Sequence, residues 1–323
     1  MAEEKLTKQQ RRDQAREQAR VAREAEKKRE KRNRVLLQGG VVLGVLAILA
    51  VVGLVLMQTL KPAGPGPENM VSGGVTFGTD LKVEPTPALA EGEERQPRDV
   101  DWSQLPIDVT IYVDYMCPAC GAFEQQYGEV FQNYIGSGDI TLTVYPINFL
   151  DAASKYSTRA ANLVSCVVEQ QPDYAFTLHN QLLSAEVQPT ESSTGLTDEQ
   201  LIEQAEVAGA TATDELRQCV KDQRFGGFIS ANYKQVSENG VLSLAEGERM
   251  LMPRSSTELQ PEGEPQRLVS TPTVTVNGKQ WDATRDGDLE QYILKVRDDI
   301  EGNGGSSEET PAETEEDTAA ETD

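Results

Sequence analysis

Twenty-six consecutive residues without a charge, Val35 to Leu60, constrain this chain more than any other feature of its sequence. At about 1.5 Å per residue, a helix of that length exceeds a bilayer hydrocarbon core of about 30 Å. Cleaved signal peptides have apolar regions of only about 7–15 residues, followed by a small-residue cleavage site. Here the run ends in "KPAGPGP", and no cysteine lies near its end to carry a lipid. The expectation is an uncleaved transmembrane signal anchor at 35–60.

Charge sets the orientation. Residues 1–34 hold thirteen Lys/Arg against seven Asp/Glu, a net of +6, and immediately after the span there is only Lys61. The positive-inside rule puts the N-terminus in the cytoplasm and everything from Lys61 onward outside, so the expected location is the cell membrane, single-pass. The basic arm has few apolar residues and no nucleic-acid motif, which suits a solvated, partly helical segment beside an anionic leaflet. The whole chain's −23 less the arm's +6 leaves −29 on the exported part. Such an acidic domain argues against nucleic acid as a partner. The last twenty-three residues, 301–323, hold nine acids and no base, and are expected to be disordered.

Between the span and the folded domain, residues 61–100 contain six Pro and six Gly, the mark of a linker, here taken as 61–105. Within it "GGVTFGTDLKV" could supply one edge strand. "IDVTIYVDYM" at 107–116 reads as a buried strand running straight into Cys117. The residues after it carry helical spacing through Phe123, Tyr127, Val130, Phe131 and Tyr134, and Pro118 suits a first helical position. A second strand follows at 139–149. Helical patterns then run near 152–170, 172–184, 197–209, 212–222 and 226–238. A polar loop at 241–268 leads to a strand pair around "TPTVTVNGKQW", whose Asn-Gly at 277–278 suits a hairpin turn, and to a last helix near 287–300. The expected folded domain is 106–300, α/β in class, with a helical insertion at about 150–240.

Cys117 and Cys120 are separated by two residues at a strand–helix junction, where free backbone N–H groups and the helix dipole favour a thiolate. The thiolate is the species that attacks a disulfide. Cys117 is therefore expected to be the exposed nucleophile, and Cys120, one turn further in, the resolving thiol. A zinc site needs four ligands, and only Cys166, Cys219 and His179 remain, far apart in sequence. No metal and no cofactor are implied; an inert structural disulfide is the other alternative to redox chemistry. Cys166 and Cys219 lie on helices of the insertion in an oxidising compartment, where a structural bridge between them is the default and a second redox relay the alternative.

The order strand, strand–CxxC–helix, strand, helical insertion, hairpin, helix, with "DYMCPACGAFE" and "TPTVTVNG", resembles a thioredoxin-like fold carrying an inserted helical subdomain. It is similar to the DsbA-like thiol–disulfide oxidoreductases, in particular the membrane-anchored actinobacterial kind. The resemblance implies that Thr271–Pro272 forms an X-Pro loop facing the CxxC, with the backbone of Thr271 pairing with substrate; otherwise Pro272 simply opens a strand. Family members of this kind also carry a second cysteine pair in the insertion, which supports a Cys166–Cys219 bridge.

Some positions depart from the family pattern. Ile111 stands where relatives often place a buried acid. Asp114 is the nearest carboxylate, either a proton-transfer group or an exposed strand-end acid. Ala119 supplies no imidazole between the cysteines. His179 reads as a structural residue without a charged neighbour, and Met250, Leu251 and Met252 as part of a solvated loop or a flexible lip for unfolded chains. The expected function is the introduction of disulfides into reduced, unfolded exported proteins. The resemblance implies reoxidation by a membrane quinone-linked partner of the DsbB or vitamin K epoxide reductase type. The alternatives are an extracytoplasmic thiol reductase, as for an apocytochrome, and a non-catalytic interaction module.

Overall fold

The computed structural model describes residues 64–152 and 154–304, with isolated helical positions between 17 and 48. The basic arm and the span expected at 35–60 lie outside the described residues apart from those positions, as does the tail beyond 304. Among the described residues no helix is long and apolar enough to cross a membrane.

Alternation along each strand builds a six-stranded sheet with two different faces. The strands are β1 (Val75–Gly78), β2 (Lys82–Val83), β3 (Ile107–Val113), β4 (Ile140–Pro146), β5 (Thr273–Val276) and β6 (Lys279–Trp281), in the order β2-β1-β4-β3-β5-β6. Only the central pair, β3 and β4, is parallel, with Val109 opposite Leu142; β5 pairs antiparallel to β3, with Val109 opposite Val276. Ile107, Val109, Ile111 and Val113 enter the main core with Ile140, Leu142, Val144, Val274 and Val276. The intervening Asp108, Thr110, Tyr112, Thr143 and Tyr145 occupy the other face, since successive side chains in a strand point to opposite sides. Most of that polar face is paired internally, the buried Tyr145 hydroxyl being an exception. Thr76 and Thr143 hydroxyls are 2.9 Å apart, Arg98 pairs with Asp108, and Ser243 bonds both Tyr112 (3.0 Å) and Thr275 (2.8 Å).

From residue 64 onward the Pro/Gly-rich stretch is folded, and it supplies two strands rather than one, β2 at the sheet edge and β1 inside it. β1 lies between β2 and β4, and Met70, Val75, Phe77 and Leu89 are buried. Composition misleads here because three of the glycines, Gly66, Gly73 and Gly74, are sites of close approach. A Cβ at Gly74 would stand 2.9 Å from the Val144 carbonyl, and one at Gly66 2.8 Å from the Phe228 ring.

Helices cover the apolar face. Helix α1 (Pro118–Ser137) buries Cys120, Phe123, Tyr127, Phe131 and Ile135, and stops at Gly138, whose φ of 83° is the left-handed conformation that ends helices. Between β4 and β5 run α2 (Tyr156–Gln170), α3 (Ala175–Leu183), α4 (Asp198–Val207), α5 (Asp214–Lys221) and α6 (Gly226–Lys234). Thr197 and Thr213 cap α4 and α5 by accepting from Gln200 and Leu216 N–H groups. Their apolar residues join the sheet's core in one continuous cluster, so the insertion is not a separate folding unit. Cys166 of α2 and Cys219 of α5 form a buried disulfide, their Cα atoms 6.2 Å apart. After the hairpin, a short α7 (Ala283–Asp286) precedes α8 (Leu289–Gly304), which carries the helix past the expected start of the tail.

The polar loop at 241–268 is more ordered than its composition suggests. Met250 and Leu251 are buried and only Met252 is exposed, at 38%. Gln260 and Gln266 do the work of secondary structure, donating to the Leu251, Arg267 and Pro261 carbonyls and accepting from the Arg267 and Met250 N–H groups.

Candidate active site

Strand β3 ends at Val113, and three residues turn the chain into α1. Cys117 N–H donates to the Asp114 carbonyl (3.0 Å), and the Cys117 carbonyl accepts from Cys120 N–H (3.0 Å) and Gly121 N–H (3.2 Å). Cys117 is thus the N-cap and Pro118, needing no donor, opens the helix. Cys117 is 7% exposed and Cys120 1%. The nucleophile candidate is less open than the sequence suggested, and the resolving candidate is sealed beneath it.

Both thiols are free, and their surroundings drive them apart. A hydrogen bond from the Cys120 thiol, helped by contact with Thr271 and by backbone N–H groups of Cys120 and Ala119, lowers the Cys117 pKa to about 6 against the pull of burial. Burial, together with the neighbouring Cys117, pushes Cys120 well above the ordinary thiol range. Across from the pair, the Thr271 carbonyl oxygen lies 3.4 Å from the Cys117 sulfur, and the Thr271–Pro272 peptide is cis.

Asp114 is not an exposed strand-end acid. It is 0% exposed, and its carboxylate accepts from Met116 N–H (2.8 Å), Leu150 N–H (2.8 Å) and the Ser157 hydroxyl (2.7 Å). Burial raises its pKa against those three bonds. The group ties the turn before Cys117 to the end of β4 and the start of α2. His179 also has the charged neighbour that sequence reading missed. Its Nε2 lies 3.3 Å from Glu124 Oε2 and its Nδ1 3.1 Å from the Tyr115 hydroxyl, all three groups buried. Each ring nitrogen thus has one buried polar partner. Glu124 follows Cys120 by four residues, so helical spacing alone could have flagged a buried acid on the same face of α1 as Cys120.

Over residues 103–244 the chain matches the protein-family model described as Thioredoxin, a stretch that includes the strand, the cysteine pair and most of the insertion. That stretch, under half of the chain, is similar to the thioredoxin family. The chain is also 29% identical over 116 residues to the serine/threonine-protein kinase PknE of Mycobacterium tuberculosis. The match takes in 34% of this chain and 20% of PknE, so the chain spans about a fifth of the length of that curated relative. Among solved structures, the reduced DsbA of M. tuberculosis superposes with a TM-score of 0.46 at 21% identity, covering 71% of this chain and 99% of that one. The MdbA thiol–disulfide oxidoreductase of Corynebacterium diphtheriae gives a TM-score of 0.44 at 18% identity, over 69% and 93% of the two chains. The matched stretch contains Cys117 and Cys120 and stops short of Thr271–Pro272.

Proposed function

We propose that this chain is a membrane-anchored, extracytoplasmic thiol–disulfide oxidoreductase that introduces disulfides into exported proteins through Cys117 and Cys120. The observation that carries this reading is the asymmetry of the pair: an acidic, slightly accessible Cys117 above a buried, weakly acidic Cys120. In the oxidised domain a client thiolate attacks the Cys117 sulfur. The Cys117–Cys120 bond breaks, a Cys117–client disulfide forms, and Cys120 leaves as a thiolate that takes up a proton. A second client thiolate then attacks the client sulfur and expels Cys117. The client loses two electrons and the cysteine pair gains them. Expulsion is favourable because Cys117 is a stable thiolate near neutral pH, and a lower leaving-group pKa speeds the exchange. The Thr271 backbone, facing the sulfur, is the place for an extended client segment to pair.

The rest of the proposal follows from the sequence. Residues 35–60 anchor the protein, 1–34 stay in the cytoplasm, and the folded part from 64 onward works outside. Reduced, unfolded exported chains are the clients, and a quinone-linked membrane protein of the DsbB or vitamin K epoxide reductase type restores the disulfide. A redox titration of the full-length protein against glutathione tests the direction of electron flow. A lowered Cys117 pKa stabilises the reduced form, so the potential should fall between about −120 and about −270 mV, on the oxidising side of that interval. The oxidised protein should then form disulfides in a reduced, unfolded test protein stoichiometrically. A potential at or below thioredoxin's, about −270 mV, overturns the oxidase and favours the reductase.

A further inference from the structure

Gly121, the fourth residue of α1, has no positive φ, so no turn requires a glycine there. Space does. A Cβ at this position would stand 2.0 Å from Gln188 Oε1, 2.7 Å from its Cδ and 3.0 Å from its Nε2. The Gln188 side-chain amide lies where the side chain of residue 121 would be. Gln188 belongs to the segment joining α3 to α4 in the helical insertion. Its backbone is held locally, with Val187 N–H and Gln188 N–H both donating to the Ser184 carbonyl (3.2 and 2.9 Å). From there Nε2 donates to the Cys117 carbonyl (2.9 Å) and, at longer range, to the Tyr115 carbonyl (3.4 Å). The carbonyl of the nucleophile's own residue therefore has three donors, two from the helix backbone and one from a side chain 71 positions away.

We propose that Gln188 is a positioning residue that favours the Cys117 thiolate, and that residue 121 is glycine because the Gln188 amide occupies its side-chain space. This inference rests on the reading of Cys117 as the nucleophile. The carbonyl oxygen of Cys117 carries partial negative charge on the same residue as the sulfur. A donor on that oxygen offsets the repulsion a thiolate would feel, and holds the turn from Tyr115 to Gly121 in one orientation. The other groups facing the sulfur come from three places. Cys120 and the Ala119 N–H belong to α1, the Thr271 carbonyl comes from the loop before β5, and Asp114 is occupied by its own three donors in the preceding turn. On its own segment, Glu186 is exposed. Gln188 is the contribution of the insertion to the reacting end.

The test compares Cys117 acidity in the reduced full-length protein, read from thiolate absorbance against pH and from the alkylation rate of Cys117. Gln188→Met keeps the shape and removes the donor. It should raise the Cys117 midpoint by about one unit, which from a starting value of about 6 lowers the alkylation rate at pH 6 about five-fold. Gln188→Glu replaces the donor with a negative charge and should raise it further. Gly121→Ala should displace the amide and reproduce the Gln188→Met shift, yet add nothing in a Gln188→Ala background. Were Gln188 only a fastener between insertion and domain, these variants would melt earlier with the midpoint unmoved, and that result overturns the proposal. An equal Gly121→Ala shift with and without Gln188 overturns the seating part. Each shift is read against the wild-type midpoint, so a failure of the wild-type protein to oxidise a test protein would remove the proposed function without touching this comparison.

Discussion

A cysteine that titrates near 6 in the folded protein and near 9.0 when unperturbed links stability to pH. Between those values the folded reduced chain holds fewer protons at this site than the unfolded chain, so the contribution of Cys117 to stability grows as pH rises from about 6 towards about 9. It is lost as pH falls through the folded pKa. Chemical denaturation of the reduced protein at pH 5, 7 and 8, with Cys117→Ser as the reference, should show a gap that opens with pH and is absent at pH 5. The same asymmetry assigns roles. Cys120→Ser should accumulate mixed disulfides with clients, because Cys117 can attack and nothing resolves the product. Cys117→Ser should not, its remaining sulfur being sealed and weakly acidic. Equal trapping by the two variants, seen on non-reducing gels of intact cells, would defeat this assignment. Ala119 is exposed between them, and Ala119→His should make the domain more oxidising by adding a cation near the thiolate.

The elements that strands and helices announce by period were legible, and those held by side-chain bonds were not. β3 and β4 alternate apolar and polar residues over seven positions, and α1 to α6 each show an apolar face, so their places follow from spacing. The Asn277–Gly278 turn has φ of 44° and 76°, the two left-handed residues its sequence suggests. By contrast, much of 64–104 and 241–268 has no period, because these segments meet the polar sheet face through single side chains such as Arg98 and Ser243 rather than through an apolar stripe. At the site, the cysteine spacing was legible, whereas Gln188 carries no local signal, since its partners are carbonyls 71 and 73 residues away. The bridge between α2 and α5 gives the insertion its own test. Its ends are 53 residues apart, and in the chain-entropy model closing such a loop is worth about 4 kcal/mol. Replacing both Cys166 and Cys219 with Ala should lower unfolding free energy by about that amount, while leaving the Cys117 midpoint in place. A loss of thiolate chemistry at unchanged stability would instead mark the second pair as a relay.

At the scale of the whole molecule, the candidate site makes sense only on one side of a membrane. A thiol pair that gives up its disulfide to clients is continually reduced in the cytosol, where thiols are kept as such, but can cycle outside it. Charge suits the proposed placement, since the net of −29 over residues 35–323 would be repelled from an anionic cytoplasmic leaflet. Lys/Arg asymmetry across 35–60 supports the outward orientation independently of the fold. A membrane-impermeant maleimide applied to intact cells after mild reduction should therefore label Cys117, and the label should vanish in Cys117→Ser. A cysteine introduced into the basic arm, as Ala15→Cys, should react only after the membrane is permeabilised. Labelling of the arm but not of Cys117 in intact cells would invert the orientation, and with it the class of clients the domain could meet.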